Sequence, residues 1–175
     1  MEKEVVRTNK NRELTELALL KAVDDLIEED GFENLGINAV AAKAGLSKML
    51  IYRYFESLDG LIVAYIERND YWINLELELP EVEHLGEFVK KLFRDQITML
   101  RNSYTLRRLY RWELSAKNKV IKELRERREA KGIWLIDAVS RLTDWPKADI
   151  AVIATVLTSS ITYLVMLEEN CPVYN

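Results

Sequence analysis

Apolar positions recur at helical spacing along almost the whole chain. Ala18, Ala22 and Leu26 repeat every four residues beside Leu19, Val23 and Ile27, which predicts an amphipathic helix over residues 12–29. Gly31 is placed to stop it, because glycine enters the left-handed region without penalty. A short helix is expected from Ile37 to Ala44, a break at Gly45, and a second short helix from Lys48 to Phe55 with Ser47 as its N-cap. Ser57 can cap a further helix through Leu61, Ile62, Tyr65 and Ile66, expected to continue until Pro80 forbids it. The alternation Leu75-Glu76-Leu77-Glu78-Leu79 also suits a short strand, but no partner strand is visible and a frayed helix end is the better reading. Beyond Pro80, Phe88, Val89, Leu92, Phe93, Ile97 and Leu100 draw an apolar stripe. Residues 104–114, 118–141 and 147–169 read as three more helices, with Trp145-Pro146 marking the break before the last. The pattern predicts an all-α chain with a small N-terminal unit (1–57), a connecting helix (58–79) and a larger helical unit (80–175).

Composition narrows the chemistry. Apolar residues make up 49% and charged residues 31% of 175, and six Gly and three Pro leave little room for a loop-rich or disordered chain. A single cysteine, Cys171, cannot form an internal disulfide, and a single histidine, His84, excludes mechanisms that need a histidine cluster. His84 is expected on an exposed loop. The start, MEKEVVRTNKNREL, has no apolar core of a signal peptide, so the cytoplasm is the expected compartment. No phosphate loop, dinucleotide turn, nucleophile elbow or metal-ligand spacing occurs, so neither enzyme activity nor a cofactor or metal is expected.

The net charge is −4, yet two islands are basic. Residues 34–55 hold Lys43, Lys48 and Arg53 and no acid. Residues 101–131 hold eleven Lys and Arg against Glu113, Glu123, Glu126 and Glu129. Lys122/Glu126, Glu123/Arg127 and Arg125/Glu129 are i,i+4 pairs, each stabilising a solvated helix by about 0.2–0.5 kcal/mol. Arg101, Arg107, Arg108 and Arg111 are less well paired along the sequence and sit among aromatic residues; an anionic ligand or a snorkelling surface explains them, with the second preferred.

The first island falls on the arrangement helix, glycine turn, helix, in which a second helix can lie in the DNA major groove. Val40, Leu46, Ile51 and Phe55 fill the joint, and small Ala41 suits a close crossing. The outward positions carry Ser47, Lys48, Tyr52, Arg53 and Tyr54, all able to donate to phosphate oxygens or base edges. A bare helical corner in any all-α protein would use the same glycine and alanines, so spacing alone leaves both readings open.

The wording of the segment AVAAKAGLSKMLIYRYFESLDGL resembles the signature of the TetR/AcrR family of bacterial transcriptional repressors. The matching places are Val40-Ala41, Ala44-Gly45-Leu46-Ser47, Ile51-Tyr52, Arg53, Tyr54-Phe55 and Leu61, and the likeness covers roughly residues 12–66. The resemblance implies an N-terminal three-helix DNA-binding unit, followed by a helical ligand-binding and dimerisation domain. It implies base contacts from Lys48 and Met49, phosphate contacts from Ser47, Tyr52, Arg53 and Tyr54, and a weaker phosphate contact from Asn38. It further implies operator DNA, a largely apolar small-molecule inducer and a second copy of the chain as partners, with no membrane. Gly36, Met49, Leu50 and Leu58 stand where the family usually has Thr, Gly, Thr and Lys. The lost lysine at Leu58 lowers the expected phosphate contact, which Lys3, Arg7, Lys10 and Arg12 in a flexible start could restore. The competing reading is a helical interaction module that no longer binds DNA, supported by Gly36, Leu58 and the acidic first helix.

Ile150–Leu167 carries no charge, which by length is the lower limit of a membrane span; a helix buried all round in a core or subunit interface is the preferred reading. Thr155, Thr158, Ser159 and Thr162 form a hydroxyl stripe along it, which can face a cavity or back-bond to its own helix, and the residues singled out from it are Thr155, Ser159 and Thr162. With Tyr110, Trp112, Trp134 and Tyr163 they are the expected lining of an apolar ligand cavity. Family members usually carry another helix after this one, whereas only CPVYN follows Asn170, implying a clipped chain or a reduced interface.

Overall fold

The computed structural model describes residues 2–76 and 78–168, with side chains from residue 11 onward; Leu77, Asn170 and Cys171 lie outside the described residues. Among the described residues there is no strand. The helices are α1 (Glu2–Asp30), α2 (Ile37–Ala44), α3 (Lys48–Phe55), α4 (Leu58–Asn69), α5 (Tyr71–Asn74), α6 (Leu85–Asn102), α7 (Tyr104–Ser115), α8 (Lys119–Thr143) and α9 (Lys147–Leu167). Two compact units form: residues up to Asn69 together with 108–121, and residues 70–107 together with 122 onward.

In the first unit α1 packs on α2, α3 and α4. It buries the face its spacing predicts, Leu19, Ala22, Val23 and Ile27, against Val40 and Ala41 of α2, Ile51 of α3, and Leu61, Ile62, Tyr65 and Ile66 of α4. Its helix begins at Glu2, well before the predicted start, and Leu19 is the first buried apolar side chain among the described ones. The Tyr65 hydroxyl donates to Asp24 Oδ1 at 2.5 Å. Phe32, in the turn after α1, stacks on Trp112 (centroids 4.8 Å apart, planes 11° from parallel) and meets Tyr65 edge-on. Arg108 Nη1 donates to the Ile27 carbonyl at 2.8 Å, satisfying a backbone acceptor of the last turn of α1.

The connecting helix expected over 58–79 is not continuous. It stops at Asn69 because the side chain of Asp70 caps a new helix, accepting from Ile73 N at 3.0 Å, and so competes with helix propagation. After α5 the chain is irregular through Leu75 and Glu76, and again from Glu78 to Pro80.

In the second unit α6 packs on α9. Buried Gln96 donates to Thr162 Oγ1 at 3.2 Å, and Arg101 Nε donates to Glu168 Oε2 at 2.8 Å. Arg107 Nη1 donates at 2.6 Å to the carbonyls of both Leu100 and Arg101, closing the C-terminus of α6. Arg101, Arg107 and Arg108 thus hold structure together instead of waiting for an anion. His84 ends an exposed 3-10 turn, as expected.

The expectation that Ile150–Leu167 is buried all round is corrected within the single chain. Val165 alone among the described residues of α9 is buried, while Val152 (64%), Val156 (57%) and Tyr163 (61%) stand exposed. One face of α9 meets α6, and its uncharged outer face is left exposed by the other described residues.

Candidate nucleic-acid interface and cavity

The two short helices are joined by a tight, fully bonded turn. Gly45 sits at φ 65°, ψ 28°, its N–H donating to Ala42 O (3.1 Å) while Leu46 N donates to Ala41 O (3.0 Å). These paired bonds are the Schellman C-cap, which needs a left-handed residue at this place. Ser47 then starts α3, its Oγ accepting from Met49 N at 3.3 Å. At the far end Glu56, a non-glycine at φ 66°, donates its N–H to Tyr52 O and turns the chain toward α4. Ser57 Oγ accepts from Gly60 N at 3.0 Å, so the predicted cap of α4 is in place. Gly60 is there by necessity. A Cβ on it would lie 2.0 Å from the carbonyl oxygen of Phe55, so α4 approaches α3 as closely as backbone allows.

This geometry decides which side chains face out. Ile51 is buried, whereas Ser47, Lys48, Met49, Tyr52 and Arg53 are exposed, Met49 at 66% and Tyr52 at 49%. Tyr54 is half-buried, with the guanidinium of Arg53 5.8 Å and that of Arg12 5.4 Å from its ring centre. Arg12 also donates to Glu16 Oε1 at 2.7 Å, which with its environment holds the guanidinium pKa up, so it is an anchored cation. Lys43 is engaged by Glu29 at 2.5 Å. Lys48 and Arg53 meet no carboxylate among the described residues. Asn38 is exposed in the first turn of α2, whose N-cap Gly36 offers no side-chain acceptor. The side chains of Lys3, Arg7 and Lys10 lie outside the described residues, but their backbone is helical and not a loose arm.

Residues 19–65 match the sequence model of the bacterial regulatory proteins, tetR family. The helix-turn-helix segment is thus similar to that of the tetR family. Over 90 residues the chain is 31% identical to an uncharacterised HTH-type transcriptional regulator of Mycobacterium tuberculosis, found alike in two strains; the match covers 50% of this chain and 44% of that relative. The chain therefore spans less than half the length of the curated relatives it matches. Two solved structures share its fold. A TetR family transcription regulator from Marinobacter aquaeolei VT8 superimposes with a TM-score of 0.62 at 18% identity, over 97% of this chain and 91% of that one. A Clostridium perfringens protein named for regulation of fatty acid metabolism gives 0.60 at 22%, over 86% and 85%. The chain is thus all-α, shares the fold of those two structures, and carries in residues 19–65 a helix-turn-helix similar to that of the tetR family.

Beyond the TetR-like first unit, the second unit holds an open apolar cavity of ≈ 530 Å³, with Trp145, Ile153 and Leu157 of its wall also exposed to solvent. It is walled by α5, α6, α8 and α9, with Trp72, Phe93, Ile136 and Leu157 among its lining. The ligand residues expected from sequence do not line it. Trp112 is buried against Phe32 in the first unit, where half-buried Tyr110 also lies, and Thr162 is bonded to Gln96. Trp134, Thr155, Ser159 and Tyr163 are exposed on α8 and α9. The hydroxyl stripe is divided in the structure: Thr155 and Ser159 share the outer face with Val152 and Val156, Thr158 belongs to the cavity wall, and Thr162 turns to Gln96 of α6.

Proposed function

We propose that this regulator is a ligand-responsive repressor that acts in the cytoplasm and reads a two-fold operator as a homodimer. The observation that carries the reading is the exposed row on α3: Ser47, Lys48, Met49, Tyr52 and Arg53, held outward by a buried Ile51 and two fully bonded turns. Lys48 and Met49 stand at the start of the helix, where side chains of a docked recognition helix meet base edges, Met49 suiting a thymine methyl. Ser47, Tyr52, Arg53 and Tyr54, with Asn38 on α2, supply donors for phosphates.

The dimer is supported by the outer face of α9. Val152, Val156 and Tyr163, flanked by Thr155 and Ser159, present an uncharged strip to solvent, and Ile133 and Trp134 of α8 are likewise exposed. A contiguous apolar surface of this kind marks an association face, and a two-fold dimer places two recognition helices on successive turns of one DNA face. The cavity supports a small-molecule inducer, because apolar walls with few polar groups are how such sites are built.

The test is the mass of the protein–duplex complex, on a duplex isolated by the protein itself from random DNA. Two chains per duplex, reduced to free duplex by an inducer, are expected. One chain per duplex, or binding indifferent to every molecule that fills the cavity, would remove the dimeric switch from the account.

A further inference from the structure

The repressor reading leaves the inducer's chemistry open, and the cavity wall narrows it. Resting on that reading, we infer that the cavity takes an uncharged, mostly hydrocarbon molecule with one hydrogen-bond-accepting oxygen, and that it turns away organic cations and anions alike. Among the described lining residues there is no Asp or Glu, so an organic cation would lose its hydration with no carboxylate of theirs to replace it. The single cation among them is Lys90, whose ammonium donates to Glu87 Oε1 at 2.6 Å and stands largely in water. An anion entering the cavity finds its one counter-charge already held at the rim.

The polar groups of the wall are few. Thr143 Oγ1 is used twice, donating to Val139 O at 2.8 Å and accepting from Trp145 N at 3.3 Å. The Thr158 hydroxyl stands on the α9 side. That hydroxyl can donate to a neutral ligand oxygen such as an alcohol, ether or carbonyl, which brings no charge into the cavity. The hydrocarbon remainder meets Leu92, Phe93, Leu135, Ile136, Ile150 and Leu157. A volume of ≈ 530 Å³ lies within the roughly 300–1,000 Å³ range of small-molecule sites.

Trp72 and Trp145 both line the cavity, which supplies a built-in reporter. Three brominated probes of equal chain length, 10-bromodecanol, 10-bromodecanoate and 10-bromodecyl-trimethylammonium, are titrated into the full chain and tryptophan quenching is followed. Saturable quenching by the alcohol, with a Kd at least ten-fold below that of either charged probe, is expected. Thr158→Val should weaken the alcohol about five-fold, and Leu157→Trp, which fills the cavity, should abolish saturation while the far-ultraviolet dichroism stays helical. Tighter binding of the acid or of the ammonium probe overturns the inferred ligand class and leaves the cavity as a site. Saturable quenching by none of the three overturns the ligand reading and this inference together.

Discussion

Arg128 on α8 holds the carboxylate of Asp70, a residue with no exposed surface, through Nη2 and through Nε at 2.9 Å to the same oxygen. The other oxygen, Oδ1, caps α5. One side chain therefore ends α4, starts the helix that carries Trp72 to the cavity wall, and ties that helix to α8. Removing one partner of a buried pair leaves an uncompensated charge, at a cost of about 3–5 kcal/mol. Asp70→Ala is expected to lose that much in urea denaturation, and the double change Asp70→Leu/Arg128→Met to regain most of it. A single change that costs under about 0.5 kcal/mol would show that the pair does not hold the junction.

Gly60 gives a second prediction. A methyl group there meets the Phe55 carbonyl at 2.0 Å, and since that atom is backbone, α3 and α4 must separate. Gly60→Ala is expected to destabilise the chain by about 3 kcal/mol and to weaken DNA binding further than stability alone explains. Thermal melting with and without duplex separates the two effects; unchanged melting would contradict the close approach.

The recognition helix should divide its labour. Lys48→Ala is expected to cost about 1–3 kcal/mol at one base position and to relax preference there. Tyr52→Phe should weaken all sequences alike. Replacing Arg53 by Gln should flatten the slope of log affinity against log salt by about one phosphate's worth, ~0.9. Equal loss on every duplex from Lys48→Ala would place this lysine on the backbone.

Tyr71 titrates late. Burial, and next the charge of Asp95, push its hydroxyl up to about 12 from an ordinary 10.0, and the hydroxyl donates to Leu92 O at 3.1 Å. The folded state binds this proton more tightly than the unfolded state. Its contribution to stability is therefore complete below pH 10 and lost as pH rises toward 12. Absorbance titration at alkaline pH should show one late phenol that Tyr71→Phe removes. A Tyr71→Phe chain with the same late step would refute the assignment.

The features readable in the sequence were those written in local rules. The limits of α2 and α3, the Gly45 turn and the Ser47 cap each depend on residues within one or two turns of one another, and the structure places them where spacing predicts. The break at Asp70 was only half written locally: Asp is an N-cap residue, but the apolar period runs on through it, and what holds its carboxylate in place is an arginine 58 positions away. Trp112 and the hydroxyl stripe of α9 fail for another reason. Period says which residues share a face; which face turns inward is decided by the neighbours, and Phe32 takes Trp112 while α6 takes the opposite side of α9. The outward row of α3 was legible because a short amphipathic helix with Ile51 buried has only one other face to present.

The most direct measurement of the central claim is selection from random duplex DNA by the purified full chain, followed by affinity for the enriched and the shuffled sequence at about 0.15 M salt. The account predicts enrichment of an inverted repeat with half-sites one helical turn (about 10 base pairs) apart or a multiple of that, bound at least about 10³-fold more tightly than the shuffled duplex, with the preference relaxed at one position by Lys48→Ala. Equal affinity for selected and shuffled duplexes would contradict it and would leave a helical interaction module in which α3 faces something other than DNA.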